Sequence, residues 1–183
     1  MNKKQAIVSS ALKLLTTQGV HNTPMSAIAK DAGTGMGTIY NYFPNKEVLI
    51  NWIYVDIKEK EKDVFLEFQS NRPIKAQFEN YFISVVDFFI GNPSFFKFME
   101  QLHASPIITE ESREKGVKSV EPFLQLLSQG KKEHIIKNIE IEELLMFVGG
   151  AVLSYLRWYS IKPKTKKTSL KSQIQMTWDA IKE

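Results

Sequence analysis

Thr-Pro-Met-Ser-Ala-Ile-Ala-Lys-Asp-Ala-Gly-Thr-Gly-Met-Gly-Thr-Ile-Tyr-Asn-Tyr-Phe-Pro-Asn-Lys-Glu, residues 23–47, holds the densest set of local structural signals in the chain. Thr23 is a good N-cap, and Pro24 suits a first helical position, where its missing N–H would have had no partner. Ile28, Ala29 and Ala32 then share one helical face, and Gly33 supplies the left-handed residue that ends a helix. Gly35 begins a second helix, which runs through Gly37 to Phe43, turns Ile39 and Phe43 inward at a four-residue step, and stops at Pro44. Its outward face, Thr38, Tyr40, Asn41 and Tyr42, carries hydroxyls and an amide but no charge. A solvated helix would carry Lys and Glu there, whereas this face can approach a polyanion and hydrogen-bond base edges and phosphates. The expectation is a DNA-reading helix-turn-helix, weighed against an ordinary helical hairpin with exposed tyrosines.

The run Ala-Gly-x-Gly-x-Gly-Thr-Ile-Tyr-x-Tyr-Phe-x-x-Lys-Glu-x-Leu at residues 32–49 resembles the TetR family of bacterial transcription regulators. The resemblance reaches back through Ile28-Ala29 to the helix ending at Gly19; beyond residue 49 only the helical layout is similar. It implies an all-α fold of about nine helices, with a three-helix DNA-binding domain over residues 1–47 and a helical ligand-binding and dimerisation domain over 48–183. It further implies a cytoplasmic repressor that binds a palindromic double-stranded DNA operator as a homodimer and is released by a small apolar or amphipathic effector. In DNA recognition the motif places Thr38 and Tyr40 near base edges, Met36 against a thymine methyl, and Thr23, Tyr42 and Lys46 on phosphates. The backbone of Gly37 comes close to the duplex, and Thr34, Gly35 and Asn41 complete the candidate contacts. Gly35 departs from the family, many of whose members have a serine there; a backbone N–H contact is retained but a hydroxyl contact is lost.

With 183 residues, 43% of them hydrophobic, the chain is long enough to bury a real core. Cysteine is absent, which excludes disulfides, thiolate catalysis and cysteine-ligated zinc. The N-terminus has no signal-peptide hydrophobic core. Of the net charge of +4, all lies in the first 46 residues, where five lysines face Asp31 alone; the remainder balances at 19 basic and 19 acidic residues. That is the electrostatic footprint a phosphate-binding segment requires.

The periodicity predicts a first helix from about Lys3 to Gln18, with Ile7, Ala11 and Leu15 on one ridge and Gly19 closing it. A fourth helix starts near Asn45, carries Val48, Leu49, Trp52 and Ile53 inward, and extends towards Phe68. Ile74, Phe78, Phe82, Val85 and Phe89 form the stripe of the next, followed by an aromatic helix through Phe95, Phe96, Phe98, Met99, Leu102 and His103. A helix over 110–127, with Val117, Val120, Phe123, Leu124 and Leu127, is expected to be kinked or divided by Pro122, and Gly130-Lys131-Lys132 reads as a linker. Two last helices, 141–160 and about 169–182, flank the basic loop Lys162-Pro163-Lys164-Thr165-Lys166-Lys167. The apolar stretch 144–153 is too short to span a bilayer, which needs about 20 residues, and reads as a buried helix with no membrane role.

Phe89, Phe96, Met99, Phe123 and Tyr155 are candidates to line an apolar effector cavity, with His103 and Tyr155 supplying polar contacts. Phe147, Gly150, Leu153, Ser154, Ile174, Trp178 and Ile181 resemble the two-helix surface through which such proteins build a dimer's four-helix bundle; an intrachain core is the alternative. Glu100 and His103 form Glu-x-x-His, the spacing of carboxylate-bridged metal bundles, but the second such pair and the further helical carboxylates are missing. A helical-bundle metal enzyme is therefore the remote alternative, and a DNA-binding regulator controlled by a protein partner the nearer one. No cofactor and no catalytic residue is expected.

Overall fold

The computed structural model describes residues 2–65, 67–102, 104–162 and 167–183, side chains 167 and 168 excepted. Among the described residues the fold is all-α, with ten helices where about nine were expected. Among the described residues the sole β feature is an isolated bridge between Ile136 and Lys182.

The chain forms two compact units, each drawn from two separate stretches of sequence. The first joins Met1–Lys60 to Asn92–Ser119; the second joins Glu61–Gly91 to Val120–Glu183. The chain thus crosses between units three times. Helix α1 (Lys3–Gln18) packs against α2 (Met25–Asp31) and α3 (Met36–Tyr42), and α4 (Lys46–Lys62) follows. Ile7, Leu15, Ile28, Ile39, Phe43, Leu49, Ile50, Ile53 and Ile57 are all buried, each contributing roughly 1.5–3 kcal/mol of apolar burial. Helix α6 (Pro93–Leu102) packs on α1 and buries Phe98 and Leu102, which is why this later segment belongs with the N-terminal core. Helix α7 (Glu110–Lys118) lies against α4 through Gly116, where a Cβ would stand 2.8 Å from the Tyr54 hydroxyl.

The helix expected over 110–127 is therefore two, α7 and α8 (Glu121–Lys132). Pro122 does not kink it: it sits in the first turn of α8, where no N–H is needed. Because α7 turns Ser112 and Gly116 inward, Val117 is exposed rather than core. Gly130-Lys131-Lys132 is the last turn of α8 and not a linker; Gly130 is buried where a Cβ would run into Ile136. In the second unit α5 (Ile74–Gly91) packs on α8, α9 (Ile141–Ile161) and α10 (Lys167–Ile181). Phe78 is its hub, with ring centroids of Phe82, Phe123 and Trp178 at 6.1, 6.2 and 5.2 Å. On α5 it is Val86, and not Val85, that is fully buried, and on α4 Val48 is exposed rather than inward because Leu49, Ile50 and Ile53 take the buried face.

Helix α9 corrects a further expectation. Leu144, Val148, Val152, Tyr155 and Leu156 are buried, but the opposite face is apolar and open, with Met146 72% and Ile161 78% exposed beside Phe147 and Trp158. At 21 residues α9 is also long and apolar enough to cross a membrane by length and composition alone. The basic loop lies largely outside the described residues.

Candidate nucleic-acid interface

Helix α2 ends in a Schellman motif: the Gly33 N–H bonds to the Lys30 carbonyl at 3.2 Å and the Thr34 N–H to the Ala29 carbonyl at 2.9 Å, with Gly33 at φ +62°. This turn delivers the chain to Gly35, the N-cap of α3, which has no side-chain cap of its own. Ile39 is the buried anchor of α3, and Phe43, its C-cap, sets its ring edge-on to Trp52 at 5.9 Å. The remaining surface of α3 faces outward. Tyr40 is 46% exposed, Met36, Gly37, Asn41 and Tyr42 are exposed, and Thr34 and Thr38 are half-buried.

Gly35 suits the N-cap position, where glycine is favoured over alanine. Gly37 lies within α3, where glycine costs up to about 1 kcal/mol relative to alanine, yet a Cβ there would meet nothing within 4 Å. Neither packing nor φ inside the chain requires Gly37.

Thr23 is a correction. It is fully buried, and its hydroxyl donates to the carbonyls of Gly19 at 2.8 Å and Leu14 at 3.3 Å. It completes the end of α1, Pro24 is the N-cap of α2, and the hydroxyl is not available to a phosphate. The Lys46 ammonium donates to the carbonyls of Val20 at 2.8 Å and Thr23 at 3.4 Å, tying the start of α4 to the α1–α2 connection. With three donors, it keeps one N–H beyond these two.

The lysine excess is distributed unevenly. Lys13 pairs with Asp31 at 2.7 Å, and that hydrogen bond, with a second from Ser10, holds the Asp31 carboxyl below the usual carboxylate range. Lys4 sits over the rings of Trp52 and Phe43, at 4.2 and 5.9 Å from their centroids. Lys3 and Lys30 are exposed. Neither the Lys4 contact nor the side-chain bonds of Asn51 described below were read from the sequence. Its one signal was Asn51 itself, a residue type that helix interiors disfavour.

The other candidates divide between the units. Phe96 and Met99 lie in the first and Phe89, Phe123 and Tyr155 in the second, while His103 lies outside the described residues. Phe123 is packed against Phe78 and Tyr81, and Tyr155 against Trp158 and Tyr159. A small cleft in the second unit, lined by residues including Arg72, Asn80, Tyr81 and Ser84, holds about 20 Å³, room for one water, and includes none of them. Burial raises the Tyr81 phenol above its ordinary range. On α9, Phe147, Gly150 and Ser154 are exposed and Leu153 half-buried. Ile174, Trp178 and Ile181 are instead intrachain core, with Trp178 5% exposed, because the apolar stripe of α10 turns towards α5 and α9.

Residues 7–52 match the family described as bacterial regulatory proteins, tetR family, and residues 73–182 match the tetracyclin repressor-like C-terminal domain. An uncharacterised HTH-type transcriptional regulator of Bacillus subtilis, YhgD, is 26% identical over 142 residues, 76% of this chain and 69% of its own length. An HTH-type transcriptional regulator of Staphylococcus aureus (strain USA300) is 36% identical over 63 residues, 34% of this chain and 32% of its own length, so the likeness spans about a third of that relative. In fold, the chain is similar to the crystal structure of a tetR family transcription regulator from Shewanella sp. PV-4, with a TM-score of 0.92 at 24% identity and all of both chains covered. The matched families and relatives are transcription regulators, which sets aside the metal-enzyme alternative at Glu100 and His103. The two matched segments account for most of the chain, the first of them lies over the helix-turn-helix just described, and the chain accordingly belongs to the TetR family of bacterial transcription regulators.

Proposed function

We propose that this regulator is a cytoplasmic repressor that binds a palindromic operator as a homodimer and is released by a small, largely apolar ligand. The observation that carries the DNA assignment is α3, whose open face combines Met36, Thr38, Tyr40, Asn41 and Tyr42 with Gly37, a helical glycine that nothing inside the chain requires. In this reading Thr38 and Tyr40 address base edges, Met36 a thymine methyl, and Tyr42 and the remaining N–H of Lys46 phosphates, with Thr34 and Gly35 at the turn.

The open face of α9 supports dimerisation. Phe147, Gly150, Ser154, Trp158 and Ile161 recur at three- and four-residue steps, Leu153 lies at the edge, and Met176 on α10 is exposed as well. A second copy would cover this apolar stripe, and Gly150, whose Cβ would meet nothing within 4 Å, permits close helix approach. An apolar effector suits a chain rich in buried aromatic side chains in which, among the described residues, Glu61 is the one buried charged group. Phe89, Phe123 and Tyr155, which share the second unit, remain its candidate contacts. To release DNA, the effector must prefer a state whose reading heads are wrongly spaced, since a ligand that binds both states equally shifts nothing.

The test is a ligand screen by thermal shift, followed by release of a selected operator duplex with each hit. Binders that also release DNA are expected; binders that never alter DNA affinity would leave control by a protein partner as the better reading.

A further inference from the structure

Asn51 lies in the middle of α4, away from the α3 face, yet uses its whole amide. Its NH₂ donates to the carbonyls of Ile107 at 2.7 Å and Glu47 at 3.0 Å; its oxygen accepts from the Thr109 N–H at 2.9 Å and lies 3.3 Å from the Thr109 hydroxyl. Thr109 in turn is the N-cap of α7, its hydroxyl accepting from the Ser112 N–H, and Arg113 donates to the Ser105 carbonyl at 3.0 Å. One side chain therefore registers the α6–α7 junction against α4. Its neighbour Trp52, about 100° around the helix, holds the ring of Phe43, the residue that ends α3. The junction and the recognition helix are thus joined by two consecutive residues of α4.

The geometry assigns to Asn51 the role of a positioning residue for DNA reading: it latches residues 107–109 to α4 and so fixes the direction in which α3 is presented. Segment 92–119 continues covalently into the second unit at both ends, so the latch is where that segment is held in register with α3. This inference rests on the dimeric operator reading above.

The experiment uses the full-length protein and duplexes that the wild type selects from a random pool, re-synthesised with the half-site spacing changed by one and two base pairs. Asn51→Leu keeps a similar volume and removes every bond of the latch. It is expected to lower affinity for the selected duplex by about tenfold, the size of one mismatched base pair, and to flatten the spacing preference. Binding to random-sequence DNA and its salt slope should stay within about twofold, because the phosphate contacts are untouched. Amide exchange should quicken in 105–112 and in α3 together. Thr109→Val, which keeps the N–H bond, should act in the same direction and less; it decides the matter if Asn51→Leu does not fold. An unchanged spacing profile with unchanged α3 exchange, or an equal loss on selected and random DNA, overturns the assignment. A wild type indifferent to spacing refutes the dimeric reading instead, and the α3 exchange comparison then decides the latch by itself.

Discussion

Gly37→Ala should raise stability and weaken DNA binding at once. Gly37 has an ordinary helical position in the first turn of α3, and an added methyl would meet no atom within 4 Å. Alanine in place of glycine at such a site stabilises by about 0.4–1 kcal/mol, chiefly by restricting the unfolded chain. In a protein of this length that corresponds to a Tm about 1–4 °C higher. Against DNA the sign reverses, since the methyl would stand between the α3 backbone and the duplex, and overpacking of a close contact costs about 1–3 kcal/mol. Two reading heads double the penalty, so affinity for a selected duplex should fall by about 30-fold or more at constant salt. Thermal unfolding of the free protein and fluorescence anisotropy with labelled duplex measure the two halves. A higher Tm with unchanged affinity would show that the backbone at Gly37 does not approach DNA; a lower Tm would show that the space around its Cβ is not open.

Lys46→Ala should lower affinity for all sequences and reduce the salt slope by about one per reading head; a slope equal to that of wild type would leave Lys46 only its two carbonyl partners. Gly150→Leu places a bulky side chain on the open face of α9 without an intrachain clash, so it should weaken the dimer by about 1–3 kcal/mol while the monomer keeps its helical content. Sedimentation over a concentration series measures this, and an equally tight dimer removes Gly150 from the interface. Asp31→Asn tests the Lys13 pair. Because the hydrogen bond from Lys13 depresses the Asp31 pKa, its contribution is present above the ordinary carboxylate range and lost as pH falls through the depressed value. Wild type and variant should therefore differ in Tm at pH 7 and converge only as the pH falls below the ordinary carboxylate range, as followed by circular dichroism.

The helix-turn-helix was legible because its signals are local. Gly33 announced the left-handed turn, Pro44 the stop, and the four-residue step from Ile39 to Phe43 the inward face, all as found. Thr23 shows where local reading fails: a threonine between two helices can cap the second or complete the first, and only its burial against Leu14 and Gly19 chooses. Periodicity likewise marks the apolar stripe of α10 but not its partner, so it leaves a second copy and an intrachain core both open for Trp178, which rests on Phe78. The division into units depends on α6 meeting α1, a contact between residues far apart in sequence that no window of residues reveals. Effector contacts are still less legible, since packing a core and lining a cavity call for the same aromatic side chains.

The triple crossing of the chain between its units bears on how such regulators can be recombined. A chimera that transplants residues 1–47, or even 1–60, onto a foreign body would leave behind the α6 surface on which α1 packs and the carbonyl and N–H to which Asn51 bonds. The compact unit that carries α3 is discontinuous, 1–60 together with 92–119. Swaps of the α3 face within an intact scaffold are thus the less disruptive way to redirect the protein to a new operator.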